Sequence, residues 1–229
     1  MLAKKYKSEV VGIENPFEGV YTVEFKPFRG RYRYAPGQFL HVAIDRKYDG
    51  IGQWPESRCF SMQSNGSAKT IKVTYAVKGE FTTEMEKELQ VGQEVWLKLP
   101  YGDLFSQTHN KKNTVFISGG TGITPFLSLF TDTSFGEYEN PKLYMGFKEA
   151  SLQIYNQELA VSQEINRSLD ITTFYENVDG IIDIERILKE NDKTSSFFVS
   201  GPPVMIKNFK EFLIQNGVDE ENVKTDDWE

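Results

Sequence analysis

NTVFISGGTGITP, residues 113–125, is where the periodicity of the chain changes. TVFIS is a short, nearly continuous apolar run, the pattern of a strand covered on both faces, and it passes through Gly119, Gly120 and Gly122 into the helical stretch TPFLSLF. Downstream the alternation repeats. Strands PKLYMGF, LDITTFY and SSFFVSG are followed by helices SLQIYNQELAVSQEI, IDIERILKE and PPVMIKNFKEFLIQNG, and the chain closes with ENVKTDDWE. That succession of βα units predicts a parallel sheet with right-handed crossovers. Upstream, from residue 5 to about 100, β-branched and aromatic residues alternate in VYTVEF, FLHVAI, TIKVTYAV and EVWLKL. Turn signals such as NPFEG, YAPGQ and SNGSAK separate them, as expected of an antiparallel barrel. One helix interrupts the strands, TTEMEKELQ, with Thr82 or Thr83 as the expected N-cap and Gly92 just past its end. The polar run SQTHNKKN marks a hinge, which gives domains at residues 1–108 and 109–229.

Composition narrows the chemistry. The chain has 229 residues, 39% hydrophobic and 26% charged, as expected of a soluble two-domain protein. It carries no apolar run of the roughly 18–20 residues a membrane helix needs and no apolar signal core at its start, so a cytosolic location is expected. The single cysteine, Cys59, excludes an intramolecular disulfide and an all-cysteine metal or cluster site within this chain. His41 and His109 are too far apart, and too poor in nearby carboxylates, to suggest a metal site. A net charge of −7 argues against nucleic acid as the main partner. Lys4, Lys5 and Lys7 form a short basic cluster, either a solvated strand edge or a contact for an acidic electron carrier.

Two stretches carry chemistry. In SGGTGITP the three glycines permit positive φ and let backbone N–H groups approach a diphosphate, although glycines also make ordinary tight turns. Pro125 stands where the third glycine of a full dinucleotide fingerprint would fall, and no acidic residue ends the second strand. In RCFSMQS, residues 58–64, Arg58 and Phe60 share one strand face and Ser61 lies on the other. That arrangement suits a guanidinium on a phosphate, a ring beside a planar ligand and a hydroxyl at its edge. It equally suits an edge strand with one exposed arginine and a core phenylalanine.

RCFS resembles the Arg-x-Tyr-Ser/Thr flavin signature of the ferredoxin–NADP reductase superfamily. It does so alongside PGQFLHV, VKGEFTT, PYGDLF, SGGTGITP, SGPPVM and an aromatic near the C-terminus, all in that family's order. The resemblance implies a six-stranded Greek-key barrel binding FAD, a Rossmann-like domain binding NADPH or NADH, and reaction where the two cofactors meet. Arg58 would contact the flavin's phosphate, Phe60 its ring or ribityl chain, and Ser61 its N5. Gly79 and Thr82 would hold the FAD pyrophosphate, and Val77 of the same VKGEFTT stretch would also belong to the cofactor-binding set. Gly119, Gly120, Thr121, Gly122 and Thr124 would carry the nicotinamide cofactor's diphosphate, with Gly201, Pro202 and Met205 closing over its nicotinamide end. Ser61, Ser200 and Trp228 would be the catalytic set, Trp228 stacking on the flavin, and Lys148 would meet a 2′-phosphate. The chain departs from the family at Phe60, usually tyrosine, and at Ser200, often cysteine. The implied activity is an FAD-dependent NAD(P)H oxidoreductase passing electrons singly to a separate ferredoxin, haem or iron–sulfur protein. The alternatives are a flavin reductase releasing reduced flavin and a non-catalytic nucleotide-binding subunit of a larger complex.

Overall fold

A computed structural model of the chain describes residues 2–226. Its contacts divide into two compact units, with the division between Asp103 and Leu104.

The first unit holds strands β1 (Lys4–Phe17), β2 (Val20–Pro27), β3 (Phe39–Ala43), β4 (Arg58–Ser61) and β5 (Ile71–Ala76), helix α1 (Glu80–Glu88) and strand β6 (Glu94–Tyr101). The strands form one antiparallel sheet in the order β4-β3-β6-β1-β2-β5. Just past β4, the Gln63 N–H donates to the Lys72 carbonyl of β5 across 2.9 Å, so the two outer strands nearly close the sheet into a barrel. Alternation places Val23, Phe25, Leu40, Val42, Leu97 and Leu99 inside, each fully buried. Helix α1 plugs this core with Phe81 and Met85.

The expected helix is present, but it begins earlier than its threonines suggest. Gly79 is the N-cap, and Thr82, at the third helical position, reaches back to accept from the Lys78 and Gly79 N–H groups at 2.9 and 3.1 Å. A threonine can thus serve the cap from inside the helix rather than from its edge.

The second unit comprises β7 (Thr114–Gly119), α2 (Thr124–Phe130), β8 (Lys142–Phe147), α3 (Asn156–Ile165), β9 (Asp170–Tyr175), α4 (Glu176–Asp179), α5 (Ile184–Lys189), β10 (Ser196–Ser200), α6 (Pro203–Gln215) and β11 (Val223–Thr225). Its strands form a parallel sheet in the order β11-β10-β7-β8-β9. Val115, Phe116 and Ile117 are all buried, as a strand covered on both faces requires. Phe116 faces an aromatic layer with Phe126, Phe130 and Phe198, while Val115 and Ile117 face Ile206 and Leu213 of α6. Leu104 and Phe105 pack into that aromatic layer, Phe105 lying 5.1 Å from Phe198. The polar run 106–113 therefore lies within the second unit, and the chain passes from one unit to the other a few residues before it. The helix expected over residues 151–165 forms only from Asn156. Ahead of it a short 3-10 turn leads Tyr155 into the core, at 2% exposure, a placement that a continuous amphipathic helix does not provide.

Candidate functional site

In the barrel, β4 pairs with β3 so that Phe60 lies opposite Leu40, Arg58 opposite Val42, and Ser61 opposite Phe39. The Arg58 guanidinium donates to the Ser57 carbonyl at 2.9 Å, pairs with Glu56 at 3.0 Å, and sits 5.3 Å from the Phe81 ring. Because Phe81 belongs to the first turn of α1, a half-exposed cation is held beside that helix's N-terminus, where the leading N–H groups have no preceding helical carbonyl. Both features favour an anion. Gly79 adds room: its φ of −159° suits any residue, yet a Cβ there would touch nothing within 4 Å. The turn is thus open at Gly79, with Arg58 and the helix N-terminus to meet a pyrophosphate and Glu56 and Glu80 as the acidic groups beside them.

The Thr82 hydroxyl is already engaged at this turn, since it also donates to the Gly79 carbonyl at 3.0 Å. Val77 packs on the barrel core, and its N–H bonds Gly19 at 2.8 Å. Phe60 contacts Tyr75 at 5.5 Å between ring centroids, and burial pushes the Tyr75 phenol well above its ordinary range. Ser61 faces the other way, onto the outer surface with Phe39, which stacks on Tyr101 at 5.5 Å and 25°. His41 meets the edge of the same Tyr101 ring at 4.9 Å. Its pKa is lowered, first by burial and then by Lys98. Phe39 and Tyr101 were legible only as members of PGQFLHV and PYGDLF; the cross-strand pairing that sets them beside Ser61 joins residues 22 to 62 positions apart.

In the second unit β7 is flanked by β8 on one side and β10 on the other, so the order of strands reverses there. Ligands of open parallel sheets bind in the crevice at the carboxyl ends of such strands. Both glycine motifs end there. A Cβ on Gly122 would fall 2.5 Å from the Gly201 Cα, and one on Gly119 would fall 2.9 Å from the Met205 sulfur and 3.0 Å from Pro202. Gly119, Gly122, Gly201, Pro202 and Met205 are therefore brought together, although some 80 residues separate the two motifs. Gly120 is different. Its φ is +55° and nothing lies within 4 Å of an added Cβ, which leaves its backbone open to an approaching diphosphate. Thr121 shares that turn, and its carbonyl accepts from the Thr124 hydroxyl at 3.0 Å.

Ser200 ends β10 in register with Ser118 of β7. Its hydroxyl donates to the Asp226 carboxylate at 3.1 Å, with both residues buried, and the Asp226 N–H donates to Val199. Ser118 Oγ, in register with Ser200, is fully buried and, among the described residues, has no hydrogen-bond partner. Asp226 was missed in the sequence because it contacts Ser200 across 26 positions. Lys148 is exposed just past β8, one strand from the glycine crossing, and its carbonyl accepts from Asn177 of α4 at 3.1 Å. The acidic Glu176 and Asp179 flank that contact on α4. Trp228 lies outside the described residues. Among the described residues no His, Cys, Asp and Glu cluster could hold a metal ion, and no helix is long and apolar enough to cross a membrane.

No family model matches the sequence. Among curated proteins the chain is 25% identical over 215 residues to flavohemoprotein A of Dictyostelium discoideum, covering 87% of this chain and 54% of that protein. It is 25% identical over 236 residues to the reductase component of propane 2-monooxygenase of Mycolicibacterium smegmatis, covering 95% and 66%. The chain thus spans between half and two thirds of the length of these relatives. Its backbone is similar to a solved ferredoxin NADP+ reductase from Neisseria gonorrhoeae with bound FAD and NADP. The TM-score is 0.77 and the identity 18%, over 99% of this chain and 98% of that one. It is also similar to the ferredoxin reductase in carbazole 1,9a-dioxygenase, with TM-score 0.76 and 16% identity, over 99% and 70% of the two chains.

Proposed function

We propose that the chain is a member of the ferredoxin–NADP reductase superfamily, an FAD-dependent NAD(P)H oxidoreductase serving a separate electron-acceptor protein, as its likeness to reductase components and ferredoxin reductases supports. The observation that carries this reading is the crossing of the two glycine motifs, Gly122 against Gly201, at the reversal point of a parallel sheet. Bound FAD would supply hydride acceptance from the nicotinamide and one-electron release to the acceptor.

The chain's own residues would bind and orient. Arg58 and the first turn of α1 hold the FAD pyrophosphate, with Gly79 kept small to admit it and Thr82 bracing the turn from behind. Phe60 offers an apolar face to the flavin, and Ser61 a hydroxyl at its edge. Gly119 to Thr124 present backbone N–H groups to the nicotinamide cofactor's diphosphate, while Gly201, Pro202 and Met205 wall its nicotinamide end. Ser200, fixed by Asp226, sets the polar edge of that wall. Trp228 would cover the flavin. Lys148 is the residue on which a preference for NADPH over NADH would turn. The flavin-binding role falls to the first unit, Met1–Asp103, and the nicotinamide-binding role to the second, Leu104–Glu229, a few residues ahead of the division at 108/109 that the polar run suggested.

A second reading, a flavin reductase that releases reduced flavin, is favoured by Phe60, which lacks the phenol that would add a hydrogen bond to a retained flavin. The purified protein's visible spectrum, followed during anaerobic addition of NADH or NADPH, separates the two. Bleaching of a copurified flavin supports the retained-FAD enzyme, and the nucleotide that bleaches faster is the donor. A colourless protein that oxidises NAD(P)H only with added flavin supports the second reading. Copurified nucleotide without bleaching supports a non-catalytic subunit.

A further inference from the structure

Arg58 already has the chain's own oxygens on it. Its Nη1 donates to the Ser57 carbonyl at 2.9 Å, and its Nη2 meets Glu56 Oε1 at 3.0 Å, so both terminal nitrogens of the guanidinium have an acceptor in place. A phosphate is taken by the same N–H groups. The neighbouring turn is engaged in the same way. Thr82 Oγ accepts from the Lys78 and Gly79 N–H groups at 2.9 and 3.1 Å, which throws more of the burden of holding an anion onto Arg58.

The charges at this end of α1 cancel. Lys78 and Glu80 flank the N-cap Gly79, and Arg58 lies against the Phe81 ring of the same turn with Glu56 beside it. Two cations therefore face two carboxylates, and neutralising Glu56 alone would leave a cation in excess.

The loop before β4 fixes Glu56 in that position. Lys5 of β1 holds the loop through the Tyr48 hydroxyl and the carbonyls of Gly50 and Gly52. Trp54 packs its ring edge-on to Tyr48 at 5.7 Å and donates from Nε1 to Ser57 Oγ at 2.8 Å. Pro55 restricts the backbone just ahead of Glu56. The loop is thus pinned on both sides of a carboxylate whose own side chain is 69% exposed, against 51% for Arg58. An ion pair this exposed adds little to the stability of the fold, and it opens at little cost.

We propose that Glu56 is a specificity-determining residue of the flavin site: its carboxylate takes the place on Arg58 that a flavin phosphate needs, so phosphate-bearing flavins bind by displacing it and are held exchangeably. The inference rests on the flavin-binding assignment above and deepens it, because Glu56 then sets how far the site prefers FAD over a flavin without phosphate. Two anions cannot share one guanidinium without repelling each other. Phe60, with no phenol to add a hydrogen bond, points to the same easy exchange. A carboxylate that instead braced Arg58 for the phosphate would act with the opposite sign.

The test is equilibrium dialysis of the whole chain, freed of any copurified flavin, against FAD and separately against riboflavin, which carries no phosphate. Compared are the wild type, Glu56→Gln and a charge-matched control, Glu164→Gln, on the exposed side of α3. The expected result is FAD binding about threefold to tenfold tighter in Glu56→Gln, with riboflavin binding and the control within about 1.5-fold of the wild type. The gain should shrink as salt rises from about 20 to 200 mM. FAD affinity that is unchanged or lower in Glu56→Gln overturns the proposal, a loss marking Glu56 as a brace. Equal gains for FAD and riboflavin overturn it as well, and so does an equal gain in the control. Thermal melting confirms that each variant is folded. The two ways of failing are distinct: FAD binding indifferent to Glu56→Gln ends the proposal alone, whereas a wild type and a Glu56→Gln variant that bind neither flavin end the flavin-binding reading and the proposal with it.

Discussion

The Ser200 hydroxyl and the Asp226 carboxylate form a hydrogen bond of 3.1 Å in which both residues are buried, at 2% and 7% exposure. It ties the end of β10 to the segment after β11. Ser200→Ala would take a donor from a buried carboxylate and leave it poorly solvated, at a cost of about 1–3 kcal/mol. Urea unfolding should show that loss, and Ser200→Cys, which keeps a weak donor, should recover part of it.

Gly122→Ala places a methyl carbon 2.5 Å from the Gly201 backbone, where no rotamer relieves the clash. The expected result is a large fall in the rate of flavin bleaching by NAD(P)H with the flavin absorption band unchanged, since Arg58, Gly79 and Thr82, the residues proposed to hold the FAD pyrophosphate, lie in the other unit. Gly120→Ala meets no atom and incurs only left-handed strain, about 1–2 kcal/mol, and should be the milder of the two. Equal behaviour of the two variants in stopped-flow bleaching would refute the crossing as the reason for Gly122.

Thr82→Val removes the oxygen that accepts from two backbone N–H groups at the start of α1. Loss of a cap of this type costs about 1 kcal/mol. Hydrogen exchange at residues 78–83 should accelerate, and flavin should dissociate faster on dilution, because the same turn forms the proposed pyrophosphate cradle.

Stability should fall on mild acidification. His109 has Nδ1 2.7 Å from the Gln107 carbonyl and Nε2 2.7 Å from the Tyr138 hydroxyl. Nδ1 therefore carries the proton and Nε2 accepts. Burial lowers the pKa of both His109 and His41 below the ordinary 6.5. The unfolded chain then binds more protons than the folded one between the lowered values and 6.5, so stability present above 6.5 is lost as pH falls through that window. Thermal melts from pH 7.5 to 5 should show the decline, and His109→Gln with His41→Gln should flatten it.

The parallel sheet could be read from residues 113–125 because a strand buried on both faces has no polar alternation to hide it. The barrel could be read because its two-residue period survives in four of its strands. What escaped depends on pairing across the chain. Thr82 is visible as a cap former, but only three dimensions show that it serves from the third helical position. Asp226 is one of several acidic residues near the C-terminus until β11 sets the segment beside Ser200.

The crossing of Gly122 and Gly201 also bears on how this chain can change over time. The two loops can be exchanged for those of a relative only as a pair, because a side chain introduced in one must be accommodated in the other. Lys148 lies one strand away, past the end of β8, so on the proposed roles a descendant could change its preferred nicotinamide nucleotide there and inherit the paired loops unaltered.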